Sequence, residues 1–575
     1  MSDIVTLNGY KIKDEKAVRS YETVALMKAD TKLKEGYHVK TKGYYEANDG
    51  GHGEYIIVDD DTLVDDGGLI HVLSNGLRAK LIESNYVNIK QFGAYGDGEH
   101  DDLSYIQNAI NKNPLKTIYF PFGTYAISNK IVIKNANLKG VNLKLDENTI
   151  IKNYSNQTIE TLLDIGNDTS DGQYRRTSTS YKMTLIEGGI FDCTNVEKGI
   201  ISNSDRQFVY FKNIKMINIT TTGIYLKRGT YTSGDSKIID SSFYSPDSTS
   251  GIAIHVESHD NVLENIKIDG CKKAVVIDGS STILNNVHPV ALYTQEMTTQ
   301  QKIDTICFEI NNGNPEFSQC YADTYATGFK INFGTGVSLV NCTSYYYDAF
   351  SNGEQTQAVW INTSEDINLR ITNSYFSSPD NSNVPHKFFR FKNIYSYLLS
   401  IDLENITLLG NRYRNHNNVS YNDIAYCVQS NNRKGITPYY HGKTFEADKY
   451  YYLGTFANRS QHFLNQFRIT NSNYFDVTIQ VEDDNTLTTI SSLNKVPRTW
   501  TFAIVQDETI TADDNTSVTL HKLYVKVSSD LSQGVHTSIE PLTYMAPFFS
   551  YKKLIPVGET IDPSDIISSV TITQS

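Results

Sequence analysis

Between about residues 182 and 376 the apolar positions return at a regular interval. Short runs of the form apolar–x–Asn/Gln recur: Phe211-Lys-Asn213, Leu263-Glu-Asn265, Leu284-Asn-Asn286, Phe317-Ser-Gln319, Leu339-Val-Asn341 and Ile371-Thr-Asn373, with Ile239-Asp-Ser241 as a serine version. Positions 213, 241, 265, 286, 319, 341 and 373 are spaced by 28, 24, 21, 33, 22 and 32 residues. A second apolar run interleaves with the first: Gly199-Ile-Ile, Gly223-Ile-Tyr-Leu, Gly251-Ile-Ala-Ile, Ala274-Val-Val-Ile and Gly328-Phe-Lys-Ile. Short strands that return every 20 to 35 or so residues describe the coils of a solenoid. Neighbouring coils lie about 4.8 Å apart, so equivalent residues stack. A buried asparagine amide in such a stack donates to one coil and accepts from the next. Cys320 and Cys342 each follow a ladder position and read as a row of stacked small residues.

The expected fold class is mainly β: a right-handed single-stranded parallel β-helix with a small N-terminal α+β domain and a C-terminal β-sandwich. The expected boundaries are 1–86, 87–433 and 434–575. In the first segment, residues 14–34 have helical character and glycine-punctuated β-like runs follow. In the last, alternating strands are separated by turns at 483–485 and 513–515, which suits two packed sheets.

Residues 87–127 carry the most specific local signal. Gly93, Gly96 and Gly98 mark a turn, Asp101 or Asp102 stands ready to cap a helix, and Tyr105, Ile106, Ala109 and Ile110 give that helix an apolar stripe. A strand at 117–120 ends at Pro121-Phe122-Gly123. The series Phe92, Gly93, Ala94, Gly96, Asp97, Gly98, Asp101, Asp102, Ile106, Gln107, Ala109, Ile110, Phe120, Pro121, Gly123, Thr124, Tyr125, Ile127 resembles the N-terminal cap of the pectate-lyase-like family found in bacteriophage tail proteins. The resemblance implies a tailspike: a homotrimer on the virion tail, docked on a baseplate or tail protein through residues 1–86. It also implies a bacterial surface polysaccharide or teichoic acid as partner.

Composition narrows the function. The net charge of −13 offers no basic face for nucleic acid. No apolar run reaches the roughly 20 residues of a membrane span, and the N-terminus lacks the pattern of a signal peptide. The expected route is folding in the host cytoplasm and release by lysis. The six cysteines Cys193, Cys271, Cys307, Cys320, Cys342 and Cys427 form no CxxC pair and read as free, buried thiols.

Glycosidic bonds are usually cut by paired carboxyls, so the candidates are acids. Counting from the ladder residue as zero, position +4 holds Asp192 (from Gly188), Asp269 and Asp323. Two coils separate Asp269 from Asp323, about 9.6 Å of backbone at 4.8 Å per coil, near the upper limit for an inverting glycosidase. His288 lies between them at +2, and Glu257, Asp260 and Asp278 sit in nearby turns. Asp269-Gly270 and Asp278-Gly279 also suit plain turns. Asp323, in Cys-Tyr-Ala-Asp-Thr-Tyr, is an acid among aromatics, a setting that favours proton transfer. Tyr345-Tyr346-Tyr347 and Tyr450-Tyr451-Tyr452 offer rings for sugars, with half of each cluster pointing inward. Lys227, Arg228, Lys267, Lys272 and Lys273 read as solvated surface; an elimination mechanism would need one of them as base and calcium as cofactor. No cofactor is expected for hydrolysis. Three functions compete: a depolymerase cutting the glycan, a receptor-binding spike without chemistry, and a structural adaptor.

Overall fold

The structure is a computed structural model. It describes residues 5–7, 10–12, 18–82, 86–113, 116–133, 141–166, 183–203, 209–228, 234–346, 356–362, 367–378, 387–391, 399–404, 407–410, 424–427, 446–457, 465–471, 474–482, 485–511, 517–529, 537–541, 549–551 and 560–573. Positions 14–17, 347, 483–484 and 513–515, and the side chains of Cys427 and Tyr452, lie outside the described residues. The chain divides into two compact units, 1–246 with 250–271 and 247–249 with 272–575.

The first unit opens with a five-stranded sheet whose strands pair in the order Arg19–Tyr21, His38–Thr41, Gly53–Val58, Arg78–Leu81, Ile70–Val72. Of the helical stretch expected over 14–34, the described part forms a helix only at Val24–Ala29. Val24 and Met27 enter a core with Val39, Tyr55, Ile57 and Leu81.

His71 is fully buried in this layer, between the Tyr44 and Tyr55 rings. Burial pushes its imidazole down to about 4, only partly opposed by the Asp65 charge. The folded His71 is therefore neutral where an unfolded one, near 6.5, has taken a proton. Stability is complete above pH 6.5 and falls as pH drops from 6.5 towards 4, by up to roughly 3 kcal/mol. Thermal unfolding between pH 7 and 4 should show this slope, and His71→Gln should flatten it. An unchanged slope in that variant would assign the acid sensitivity to other groups.

The cap helix runs Leu103–Lys112, with Ile106, Ala109 and Ile110 buried. The two aspartates before it divide the work differently from a simple cap. Asp101 Oδ1 accepts from Leu103 N at 3.1 Å and Ser128 N at 3.1 Å. Asp102 makes no side-chain cap. Its buried carboxylate instead accepts from Tyr95 N at 2.6 Å and Gly96 N at 3.0 Å, closing the glycine turn. Burial raises it to about 6 despite those bonds.

Above the cap, the described strands of the solenoid pair in parallel. In the first unit, Val209–Lys212 pairs with Lys237–Tyr244, and that strand with Val262–Asp269. In the second, Ile283–Val290 pairs with Glu316–Ser318 and Tyr321–Asp323, which pair with Gly334–Val340 and Thr343–Tyr345. A separate parallel sheet carries Val196–Ser202, Thr222–Leu226 and Ile252–Val256 in the first unit. In the second it carries Lys273–Ile277, Ile306–Ile310, Thr327–Ile331 and Gln357–Ile361. Its columns of small residues exist because the next coil passes close: a Cβ on Gly328 would lie 2.6 Å from the Ala358 carbonyl oxygen. This is a parallel β-helix.

The residue ladder is real, but its physical cause differs from the expected one. Asn213, Asp240 and Asn265 occupy successive coils of the first unit, and Asn286, Gln319, Asn341 and Asn373 those of the second. All seven are exposed. All seven have φ between 50° and 55°. They sit at the corner between two strands, where the chain must turn through the left-handed region, and asparagine and aspartate tolerate that better than other L residues. Amide stacking also occurs, as Asn265 Nδ2 donates to Asp240 Oδ1 at 3.0 Å. Ser241 is not the corner but the next, inward residue, whose hydroxyl donates to Ile239 O at 2.7 Å. Cys320 and Cys342 share that inward row and are free thiols.

Beyond the solenoid, two antiparallel sheets lie against one core. One contains Tyr450–Ala457, Ser517–Val527, Trp500–Thr511 and Ile566–Ile572. The other contains Asn465–Asn471, Phe475–Val481, Leu487–Asn494 and Thr537–Pro541. Trp500, Phe475, Phe502, Leu523 and Ile479 fill the space between them. Tyr450 and Tyr451 are both buried, one against Ala503 and Tyr524 and the other in the shared core. The two rings alternate across the strand as expected, but both faces are covered, so neither is open to a sugar.

Candidate functional site

Outward positions of the second unit's long sheet form a strip beside the ladder. Two residues past each corner stand His288, Tyr321, Thr343 and Tyr375; four past it stand Val290, Asp323, Tyr345 and Ser377. Strand alternation puts all of them on one face, because the residues between them (Pro289, Ala322, Ser344, Phe376) are buried.

His288 and Tyr321 are stacked, with ring centroids 4.5 Å apart and planes 14° from parallel, as adjacent coils dictate. The imidazole Nε2 lies 3.4 Å from Asp323 Oδ2. Oδ1 of the same carboxylate accepts from the Thr324 hydroxyl at 2.8 Å. The side chains of His288 and Asp323 are 37% and 22% exposed, so a ligand can reach both. A contact of 3.4 Å is long for a charge-assisted bond, and such contacts commonly tighten once a ligand is bound. The Tyr321 phenol is pushed up to about 12, first by burial and then by the Asp323 charge, so it stays protonated as a donor. Beneath the strip, burial and the same carboxylate raise the Cys307 thiol, which stays neutral.

The other expected acids are placed differently. Asp269, on the first unit, lies 3.3 Å from Lys267, two residues before it, and precedes Gly270 at φ 84°. Asp260 is exposed at φ 56°, a turn former. Glu257 follows the strand Ile252–Val256, its amide bonded to Leu226 O at 2.8 Å. Asp192 Oδ1 accepts from Thr194 N and Oγ1 and from Asn218 Nδ2.

Asp278 belongs to a polar column that the sequence reading overlooked. Asn311 Nδ2 donates to Asp278 Oδ1 at 2.7 Å, Asn332 Nδ2 to Asn311 Oδ1 at 2.5 Å, and Asn362 Nδ2 to Asn332 Oδ1 at 2.6 Å. Each residue directly follows an isoleucine that closes a strand: Ile277, Ile310, Ile331 and Ile361. That repeated Ile-Asn/Asp pair was the available signal. Beside this column the buried Glu309 is held by Lys273 at 2.5 Å and Lys330 at 2.9 Å; burial works to raise its carboxyl, but the two ammonium groups together keep it below the usual range. Lys330 also lies over the Trp360 ring at 4.9 Å. Lys272 pairs with Asp304 at 3.3 Å. The amide column therefore reads as structural, a hydrogen-bonded seam between coils.

Comparison with known proteins bears on the fold that carries this geometry. Residues 86–294 match a family model described as rhamnogalacturonase A/epimerase, pectate lyase-like. Residues 20–84 match one described as the small four-stranded β-sheet domain of phage tail proteins. Tailspike protein 2 of Escherichia coli O157:H7 bacteriophage CAB120 superposes with a TM-score of 0.52 at 10% identity, over 96% of this chain and 86% of that one. The tailspike protein of Acinetobacter baumannii bacteriophage Fri1, a capsular polysaccharide depolymerase, gives a TM-score of 0.41 at 11% identity, over 93% and 100%. Among curated proteins, plasmin and fibronectin-binding protein A of Streptococcus pneumoniae is 34% identical over 86 residues, which are 14% of this chain and 11% of that protein. Residues 86–294 thus resemble pectate-lyase-like proteins and residues 20–84 a phage-tail β-sheet domain, in a chain whose parallel β-helix fold is shared with a phage tailspike protein.

Proposed function

We propose that the protein is a virion tail component that binds a bacterial surface polysaccharide and cuts it at the His288–Asp323 pair. The observation that carries this reading is one face holding a carboxylate, an imidazole 3.4 Å from it and a stacked tyrosine, all reachable from solvent. A sugar ring packs on Tyr321 and Tyr345, while the imidazole and carboxyl exchange a proton with the water or the glycosidic oxygen. Hydrolysis is the reading we favour: the C–O bond to the leaving sugar breaks, water supplies the new oxygen, and its proton passes through the pair. The phage-tail domain at 20–84 supports attachment to the tail.

The test is incubation of the purified chain with capsular, exopolysaccharide and teichoic acid preparations, followed by mass spectrometry of the fragments. Fragments with added water support hydrolysis. Fragments with a 4,5-unsaturated end would mean that the same pair abstracts a carbon-bound proton and that the protein is a lyase. Binding to a glycan array with no shortening of the ligand would reduce the protein to a receptor-binding spike.

A further inference from the structure

The residue after Asp323 holds a backbone conformation that L residues avoid. Thr324 has φ of 67°. There the Cβ crowds the following carbonyl, and a β-branched side chain suffers most. The equivalent place in a coil of the first unit, five residues past the corner Asn265, is taken by Gly270 at φ 84°, which has no Cβ to crowd. A threonine at such a corner needs both a means of being held there and a use.

The means are on the page. Thr324 N donates to Tyr345 O at 2.6 Å. Thr324 O accepts from the Tyr293 hydroxyl at 2.9 Å. That hydroxyl also lies 2.7 Å from Thr305 Oγ1, which accepts from Ala326 N at 3.0 Å. Tyr293 and Thr305 belong to the stretch 291–305, which joins the strands Ile283–Val290 and Ile306–Ile310 and contains the helix Thr299–Ile303. The insertion thus reaches back to clamp the turn. Strain kept in place by several independent bonds is characteristic of functional positions. The use is the third bond, from the Thr324 hydroxyl to Asp323 Oδ1 at 2.8 Å.

We propose that Thr324 is a positioning residue: its hydroxyl holds Asp323 Oδ1 so that Oδ2 faces His288, and the left-handed turn is retained for that contact. This rests on the reading of His288 and Asp323 as the reacting pair.

Three variants separate the parts. Thr324→Val keeps the shape and loses the hydroxyl; Thr324→Ser keeps the hydroxyl; Thr324→Asn relieves the turn. With a cleaved glycan as substrate, Thr324→Val is expected to lower kcat about tenfold with KM within twofold, the worth of one hydrogen bond to a charged group. Thr324→Ser is expected to restore most of the rate. Thr324→Asn is expected to raise the thermal midpoint by about 2 °C, a measurement that needs no glycan. A crystal structure of Thr324→Val is expected to show the carboxyl rotated away from His288. Thr324→Val turning over at the wild-type rate, or with its Asp323 carboxyl unmoved, would overturn the proposal. So would a fall in the midpoint of Thr324→Asn. If the unaltered protein cuts no glycan, the reading of the site fails by itself, while the midpoint and the carboxyl position still decide the role of Thr324.

Discussion

Asp323→Asn is expected to lower glycan cleavage by roughly 10²- to 10⁴-fold, the usual weight of one general acid–base group. The substitution keeps the size and the oxygen that faces Thr324, and removes the charge and the exchangeable proton. The side chain stands on the outer face, 22% exposed, so the fold should not register the change. His288→Ala should cost a similar factor, because the imidazole and the carboxyl act as one unit. The double variant should then be little worse than either single one, since groups that act together do not add. Product counted by reducing ends, beside an unchanged circular dichroism spectrum and thermal midpoint, is the measurement. Asp323→Asn retaining activity within threefold of the unaltered chain would remove Asp323 from the chemistry. A multiplicative double variant would mean that the two side chains serve separate steps.

The largest effect on stability is expected from the aromatic knot under that strip. Phe308, Phe317 and Phe329 are wholly buried, with ring centroids 5.0 to 5.5 Å apart. Phe329 stacks on Phe308 of the neighbouring strand and meets Phe317 edge-on, an arrangement that adds to simple burial. Phe329→Ala should cost about 3–5 kcal/mol, as transfer energy plus the cavity that packed coils cannot close. In a solenoid each coil rests on its two neighbours, so the loss should spread to the flanking coils. Hydrogen exchange should show faster opening across 306–345 and little change in the antiparallel sheets. Phe122, 70% exposed, is the control, and its replacement by alanine should stay within about 0.5 kcal/mol. A Phe329→Ala protein with the same denaturation midpoint as the Phe122→Ala protein would contradict this account of the core.

The candidate site was only partly legible in the chain. Counting from the ladder put Asp323 four residues past a corner and His288 two past another, and the structure keeps both counts. The contact between them depends on something counting cannot supply. His288 and Asp323 are 35 residues apart, and an insertion of irregular length separates their strands. The same insertion brings Tyr293 to the turn after Asp323, a bond between side chain and backbone that leaves no mark in the local pattern. Other candidate acids have different neighbours: Asp260 stands in a turn, Asp269 beside Lys267, and Asp278 in an amide column. A carboxylate in sequence looks the same in all four settings; only its neighbours in space tell them apart.

The solenoid was determined by the sequence alone, because it is a local property repeated. Apolar residues at period two make strands, a residue tolerant of the left-handed region makes each corner, and the interval between corners sets the length of a coil. Each coil contacts only the coils next to it, so the repeat of the local pattern is enough to specify it. What the tertiary structure alone decided was the reason for the corner residues, which are exposed turns and not a buried stack, and the true amide seam along 278, 311, 332 and 362. It also decided which outward side chains meet. Outward residues answer to no packing rule along the chain, and their partners are set by the register between coils and by loops of unequal length.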